Sequence, residues 1–322
     1  MYAGVGAKLQ IGKQANWSTL VAQTVAFSFD KEDIKLQPVI GNADRLVARK
    51  GTGAHHILGT KVGGSFGGKC YPDEIGLLIA AVMGAEVAPA AVDSSAVYDH
   101  VFTPMSSVAA SSLPELTIAI DRVAAIKGYA VKLDSMDLEF KGGDYLRATF
   151  NVVGRHEETD TMDALTPSTK VPFNFVHAAF TVGGAAYHIK SGKISYKNNL
   201  ENDLFTAYAA GGYMAEPEPQ ARSVSGSIDV LWDTTSAATR DATFAAGAST
   251  ALVFVFTSTE AILTGKYYTL TISIPLAFVT DGNANVSGPE RPNLPLTFEA
   301  EEDADDNLCT ITLRDARATA YL

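Results

Sequence analysis

The stretch GGSFGGKC sets Gly63, Gly68 and Lys69 at the spacing of a phosphate-cradling loop, which reads G-x-x-x-x-G-K followed by Ser or Thr. That chemistry needs a hydroxyl in the last place to hold magnesium, a buried strand before the loop and a helix after it. Here the last place is Cys70, and a soft thiol is a poor ligand for a cation that prefers oxygen. Pro72, Asp73 and Glu74 follow where phosphate would approach, and the two carboxylates repel it. The stretch reads better as a glycine-rich strand running into a helix than as the centre of a nucleotide hydrolase.

Other constellations are weaker still. The six histidines, His55, His56, His100, His156, His177 and His188, show no i, i+4 pair with a glutamate of the kind zinc hydrolases use. His55 and His56 are adjacent, so on an extended chain they point to opposite faces. No G-x-S-x-G elbow is present, and Cys70 has no neighbouring base to activate it. The acidic run from Glu299 to Asn307 lacks the residue order of a helix-loop-helix calcium loop and reads as a solvated hairpin tip. No catalytic, cofactor-binding or metal-ligating residue is expected.

The elements that would carry such residues are mostly strands. The run TVAFSFDKEDIKLQPVI alternates Val25, Phe27 and Phe29 on one face, and YAVKLDSMDLEF and YLRATFNVVG form a hairpin through KGGD. YHIKSGKISYK, STALVFVFTS, YYTLTISIPLAFV and LPLTFEAEE supply matching elements in the second half. Their alternation implies sheets with one buried and one wet face. Two helices of about three turns are expected: one in YPDEIGLLIAAVMG, with apolar Ile75, Leu78, Ile79 and Val82 and a stop at Gly84, and one in TTSAATRDATFAAG, stopped at Gly247.

Those helices also organise the chain. KVGGSFGG precedes the first and SVSGSIDVLWD the second, with Val62 and Val224 162 residues apart. Near the ends of the halves, Phe150 and Phe298 are 148 apart. A tandem duplication of one β-rich domain with one helix fits both offsets. The expected division is a first domain over 1–155, a polar linker over 156–170 and a second domain over 171–322. Each half carries a long segment of little regular pattern, Lys35 to Lys61 and Asn198 to Ser223. Such segments are uncommon in a compact domain unless they do a job. Val39, Ile40, Leu46, Phe205, Tyr208 and Tyr213 would be poorly placed on free loops, so both segments read as contact arms.

Composition bounds the function. The 322 residues are 47% apolar, enough for a sizeable core, and the formal net charge of −11 disfavours tight binding of nucleic acid. The two cysteines, Cys70 and Cys309, set no disulfide framework and read as free thiols of a reducing compartment. No apolar run of signal-peptide or membrane-span length is found, so no membrane insertion is expected.

The order of elements, an early strand, a long arm, TKVGGSFGGKCYPDEIGLLIAAVMGA and then YAVKLDSMDLEFKGGDYLRATFNVVG, resembles the tail tube proteins of long-tailed bacteriophages. The resemblance implies a mainly β fold, a β-sandwich or barrel-type domain with a flanking helix, present here in two copies each with a long arm loop. It implies a structural virion protein without enzymatic activity, made in the host cytoplasm. Its subunits would stack as rings into a hollow tube with a tape-measure protein and other tail proteins. Genomic DNA would pass through without specific binding. A doubled domain implies a trimeric, pseudo-hexameric ring. The rival reading is a secreted or surface β-sandwich module that binds carbohydrate or mediates adhesion.

Overall fold

The computed structural model describes residues 6–42, 54–106, 112–207, 210–284 and 291–322. The strands of the first half are β1 (Lys8–Lys13), β2 (Val25–Phe27), β3 (Phe29–Glu32), β4 (Lys35–Asn42), β5 (His55–Lys69), β6 (Gly84–Ala91), β7 (Tyr98–Pro104), β8 (Leu116–Asp121), β9 (Ile126–Lys141) and β10 (Arg147–Thr159), with helix α1 (Gly76–Met83) between β5 and β6. The second half holds β11 (Ala178–Val182), β12 (Ala185–Ala186), β13 (Ile189–Lys197), β14 (Ser223–Leu231), β15 (Thr250–Leu263), β16 (Lys266–Asp281), β17 (Asn293–Glu301) and β18 (Thr310–Asp315). Helix α2 (Thr234–Arg240) lies between β14 and β15. The protein is mainly β, as expected, and its strands join into one antiparallel sheet bent over itself as a sandwich.

Two runs of neighbouring strands recur in that sheet. The first is β1-β8-β9-β10-β5-β4. The second is β11-β15-β16-β17-β14-β13. A further ladder joins the runs where β9, from Ser135 to Lys141, pairs with β13, from Lys197 to Ser191. Hairpin β9–β10 turns at Gly143, whose φ of 80° suits glycine.

The core follows from strand alternation. Phe66, Phe150, Met136, Tyr196 and Val224 are cross-strand neighbours in one row over β5, β10, β9, β13 and β14, and all are buried. Phe66 meets Phe150 in a stack at 5.4 Å and Phe27 edge-on at the same distance, geometries that ring quadrupoles favour.

Helix α1 is shorter than the three turns expected. Tyr71 to Ile75 form turns rather than helix, and the Glu74 carboxylate that would sit in a first helical turn is bound by Ser28 and by the main chain of Ser168. All eight residues of α1 are buried, and Gly84 ends it in the left-handed region with φ 88°. Helix α2 opens on a capping box between Asp233 and Ser236, runs through one π turn and reaches a stop at Gly247, φ 64°.

The segment Lys35 to Lys61 is not the irregular loop expected. Its two ends are β4 and the first part of β5, which pair from Lys35↔Gly63 to Asn42↔His55. Pro38, Gly41 and Gly59 hide the strand pattern in the sequence. Proline is tolerated here because β4 lies at an edge, and Gly41 leaves room for Leu58, whose Cδ1 would stand 2.4 Å from an added Cβ.

The C-terminal segment is clasped by a buried charge cluster. His100 Nδ1 lies 2.8 Å from Glu86, and its Nε2 lies 2.9 Å from the Arg317 carbonyl and 3.1 Å from Asp315. The Tyr321 hydroxyl donates to Asp315, and the main-chain N–H groups of Tyr321 and Leu322 donate to Glu86. Burial opposes charge on His100, but the hydrogen bonds to Asp315 and Glu86 outweigh it and push its pKa up to about 9.

Candidate functional site

The glycine-rich stretch is the last part of β5, as read from the sequence. The reason for its glycines is crowding. A Cβ on Gly68 would lie 2.3 Å from the Ser28 carbonyl oxygen, and one on Gly64, φ 144°, would lie 2.6 Å from that of Asp33. The turns around β3 therefore cross β5 at backbone contact. Lys69 lies over the Tyr145 ring, 5.0 Å from its centroid, and Cys70 is fully buried with its thiol pKa pushed far up by desolvation. Cys309 is likewise buried and free. No cluster of three metal-ligating side chains occurs among the described residues.

The two arms meet each other within the chain. Tyr213 bridges Thr60 in parallel fashion, and the Met214 N–H donates to the Thr60 carbonyl at 3.1 Å. Lys61 Nζ donates to the Asn202 carbonyl at 2.6 Å, and the Phe205 ring lies against Gly59, within 2.6 Å of where a Cβ would be. Arg155 and His156 flank the Tyr213 ring at 5.4 and 5.7 Å. The root of the second arm is pinned by Asn198, whose amide donates to the carbonyls of Val82 and Leu133, and by Glu216, 2.5 Å from the buried ammonium of Lys132.

Beyond that contact the β4–β5 hairpin projects an apolar surface. Ile40, Ile57 and Leu58 are 61%, 68% and 67% exposed, with Leu36, Val39, Phe205 and Tyr213 exposed beside them to a lesser degree. Val39, Ile40, Phe205 and Tyr213 are thus gathered on one projecting region. Leu46 and Tyr208 lie outside the described residues. Ile57 and Leu58 were missed, although the apolar pair in HHILGTK marks them.

A second surface is the wet face of the strands β5, β10, β9, β13, β14 and β17. One row across it reads Gly67, Thr149, Asp137, Ser195, Ser225, Glu299, and the next reads Lys69, Arg147, Glu139, Lys193, Ser227, Thr297. Lys193 pairs with both Asp137 and Glu139, at 3.2 and 3.1 Å. The face is rich in hydroxyls, and its bases are matched by acids.

The polar stretch 156–170 begins as the end of β10 and is then held to the first half. The Asp163 carboxylate accepts from the Gln23 N–H at 2.6 Å, and Ser168 binds Asp73 and Glu74. Among the described residues no helix is long and apolar enough to cross a membrane.

Comparison with curated proteins finds no match. A family model described as Phage tail tube protein matches residues 4–300. The chain belongs to that family, as its order of elements led us to expect, and it is a structural component of the phage tail.

Proposed function

We propose that the chain is built of two copies of one tube domain, close to 1–155 and 171–322, and that three chains close a pseudo-six-fold ring. The rings stack into the tail tube through which DNA leaves the virion. One observation carries the duplication: equal irregularities fall at equal places. β3 slips register against β5 between Phe29↔Gly68 and Lys31↔Gly67, and β13 slips against β14 between Ile189↔Val230 and Ser191↔Asp229. The offsets are 160 residues on the outer strand and 162 on the glycine strand. Likewise β9 bulges between Leu133↔Val152 and Ser135↔Asn151, and β16 between Val279↔Phe298 and Asp281↔Thr297, every residue offset by 146. Bulges are specific features of a fold and do not recur in register by accident. The identical strand order of the two runs adds to this support.

Rings follow from edge logic. A sheet with free edges templates non-specific pairing, whereas head-to-tail joining around an axis leaves no edge. The apolar hairpin supplies the axial contact to the next ring, with Val39, Ile40, Leu46, Phe205, Tyr208 and Tyr213 as assembly contacts, and the tape-measure protein occupies the growing tube. The balanced, hydroxyl-rich face lines the bore, where phosphate contacts summed along a long DNA would otherwise retain it. Electron microscopy of the purified protein tests the reading. Stacked rings whose averages show three-fold symmetry with six similar units support it; rings of true six-fold symmetry, or a monomer under all conditions, overturn it.

A further inference from the structure

We propose that the ring closes through a main-chain ladder between residues 281–284 of one chain and β4 of the next, in the register that joins β9 to β13 inside each chain. The inference rests on the trimeric-ring reading above and names the residues of its closing contact.

Inside the chain, Ser135, Met136, Asp137 and Leu138 of β9 face Lys197, Tyr196, Ser195 and Ile194 of β13. The matched bulges translate these positions. An offset of 146 carries the β9 residues to Asp281, Gly282, Asn283 and Ala284, and an offset of 160 carries Gln37, Leu36, Lys35 and Ile34 to the β13 residues. The contact between chains is therefore Asp281 opposite Gln37, Gly282 opposite Leu36, Asn283 opposite Lys35 and Ala284 opposite Ile34.

Among the described residues neither partner has a strand on the edge that would pair. Among the described residues β4 pairs with β5 alone. On its side toward β15, β16 has among the described residues no ladder partner beyond Ala277, which faces Thr250. Where β9 continues as a paired strand to Lys141, the equivalent stretch leaves β16 at Asp281 and is no longer strand. A missing strand neighbour accounts for the difference: β9 has β13 at its side, and among the described residues no strand lies beside 281–284.

Each open edge carries an arginine on a main-chain oxygen. The Arg122 guanidinium donates to the Ile34 carbonyl at 2.6 Å, and Arg240 Nε donates to the Gly282 carbonyl at 2.9 Å. By the internal register Leu36 and Gly282 exchange bonds, since Asn198, two residues beyond Tyr196, donates across to Asp134. Ile34 lies on the same side as Leu36. The arginines thus cover carbonyls that the ladder would use, which keeps the separate chains from pairing at random. The position equivalent to Asn198 is Pro38, which has no N–H, so the ladder ends there.

The double variant Gln37→Cys, Asp281→Cys tests the register. Residues directly opposite in an antiparallel pair have Cα atoms about 4.5–5.5 Å apart, within reach of a disulfide. The native thiols are buried and do not compete. Mild oxidation of assembled protein should give dimers and then trimers on a non-reducing gel, with no larger species, whereas the shifted pair Gln37→Cys, Asn283→Cys should remain monomeric. Trimers from the shifted pair, or rings without any cross-link, would overturn the register while leaving the ring. A chain that forms no ring removes the reading and the junction together. Should the double variant fail to assemble, hydrogen exchange on the unaltered protein decides: amides of Leu36, Gly282 and Ala284 should gain protection on ring formation, and unchanged exchange there in formed rings overturns the proposal.

Discussion

Lys69 occupies the place a phosphate-binding lysine would take, yet its ammonium lies over Tyr145 and its neighbour Cys70 is sealed in the core. Lys69→Ala should therefore leave folding and assembly almost unchanged. Calorimetry with ATP and GTP should show no binding by either form; micromolar binding that the substitution abolishes would point to an enzyme instead. His100 is the residue with the larger consequence. Its folded pKa of about 9 lies above the ordinary value of 6.5. Its contribution to stability is thus fully present below pH 6.5 and is lost as pH rises through about 9. The loss amounts to about 3 kcal/mol. The melting temperature should fall between pH 6.5 and 9.5, and His100→Gln should flatten that slope while lowering stability at pH 6. A variant with the same slope as the parent would show that another group sets it. Nothing in the sequence could have pointed to this cluster, because Glu86, His100, Asp315 and Tyr321 come together only when β6, β7, β18 and the C-terminal segment are folded against one another.

At the scale of elements, α1 is the clearest test of packing. Ile75, Leu78 and Ile79 are fully buried, so Leu78→Ala should cost about 2–5 kcal/mol in denaturant unfolding. A loss below about half a kcal/mol would mean that the surroundings collapse into the space with unusual ease. This helix was legible because its apolar residues are continuous and Gly84 stops them. The β9–β10 hairpin was legible because alternation and KGGD agree. The β4–β5 hairpin was not, since Pro38, Gly41 and Gly59 read as breakers until the edge position and the packing of Leu58 and Phe205 onto the glycines are seen. The contact between the arms was equally hidden, being a tertiary bridge between Thr60 and Tyr213. The exposed hairpin then carries its own expectation. Ile57→Ser with Leu58→Ser should leave a folded, soluble chain, because both side chains already face water. Tubes should fail to lengthen, and micrographs showing tubes of normal length would assign the hairpin to some role other than stacking.

For the whole molecule the question is where the charge goes. The chain carries a net charge of −11, but the wet face of the joined runs sets Lys69, Arg147 and Lys193 against Asp137, Glu139 and Glu299. In the proposed tube an attractive lining would hold phosphate at every ring, whereas a balanced one would present the DNA with water and hydroxyls instead. If the sheets of three chains join edge to edge with this face inward, Thr297 on β17 points into the bore. It is exposed in the single chain and sits in the outer row with Ser227. Thr297→Cys, labelled with a thiol-reactive gold cluster before assembly, gives a geometric readout that does not depend on charge. The buried native thiols should stay unlabelled. Metal density should run as one line along the tube axis. Two lines along the outer walls would turn the sheet inside out, placing the buried row of Phe66, Phe150 and Tyr196 on the side of the bore and the hydroxyl-rich face in solvent.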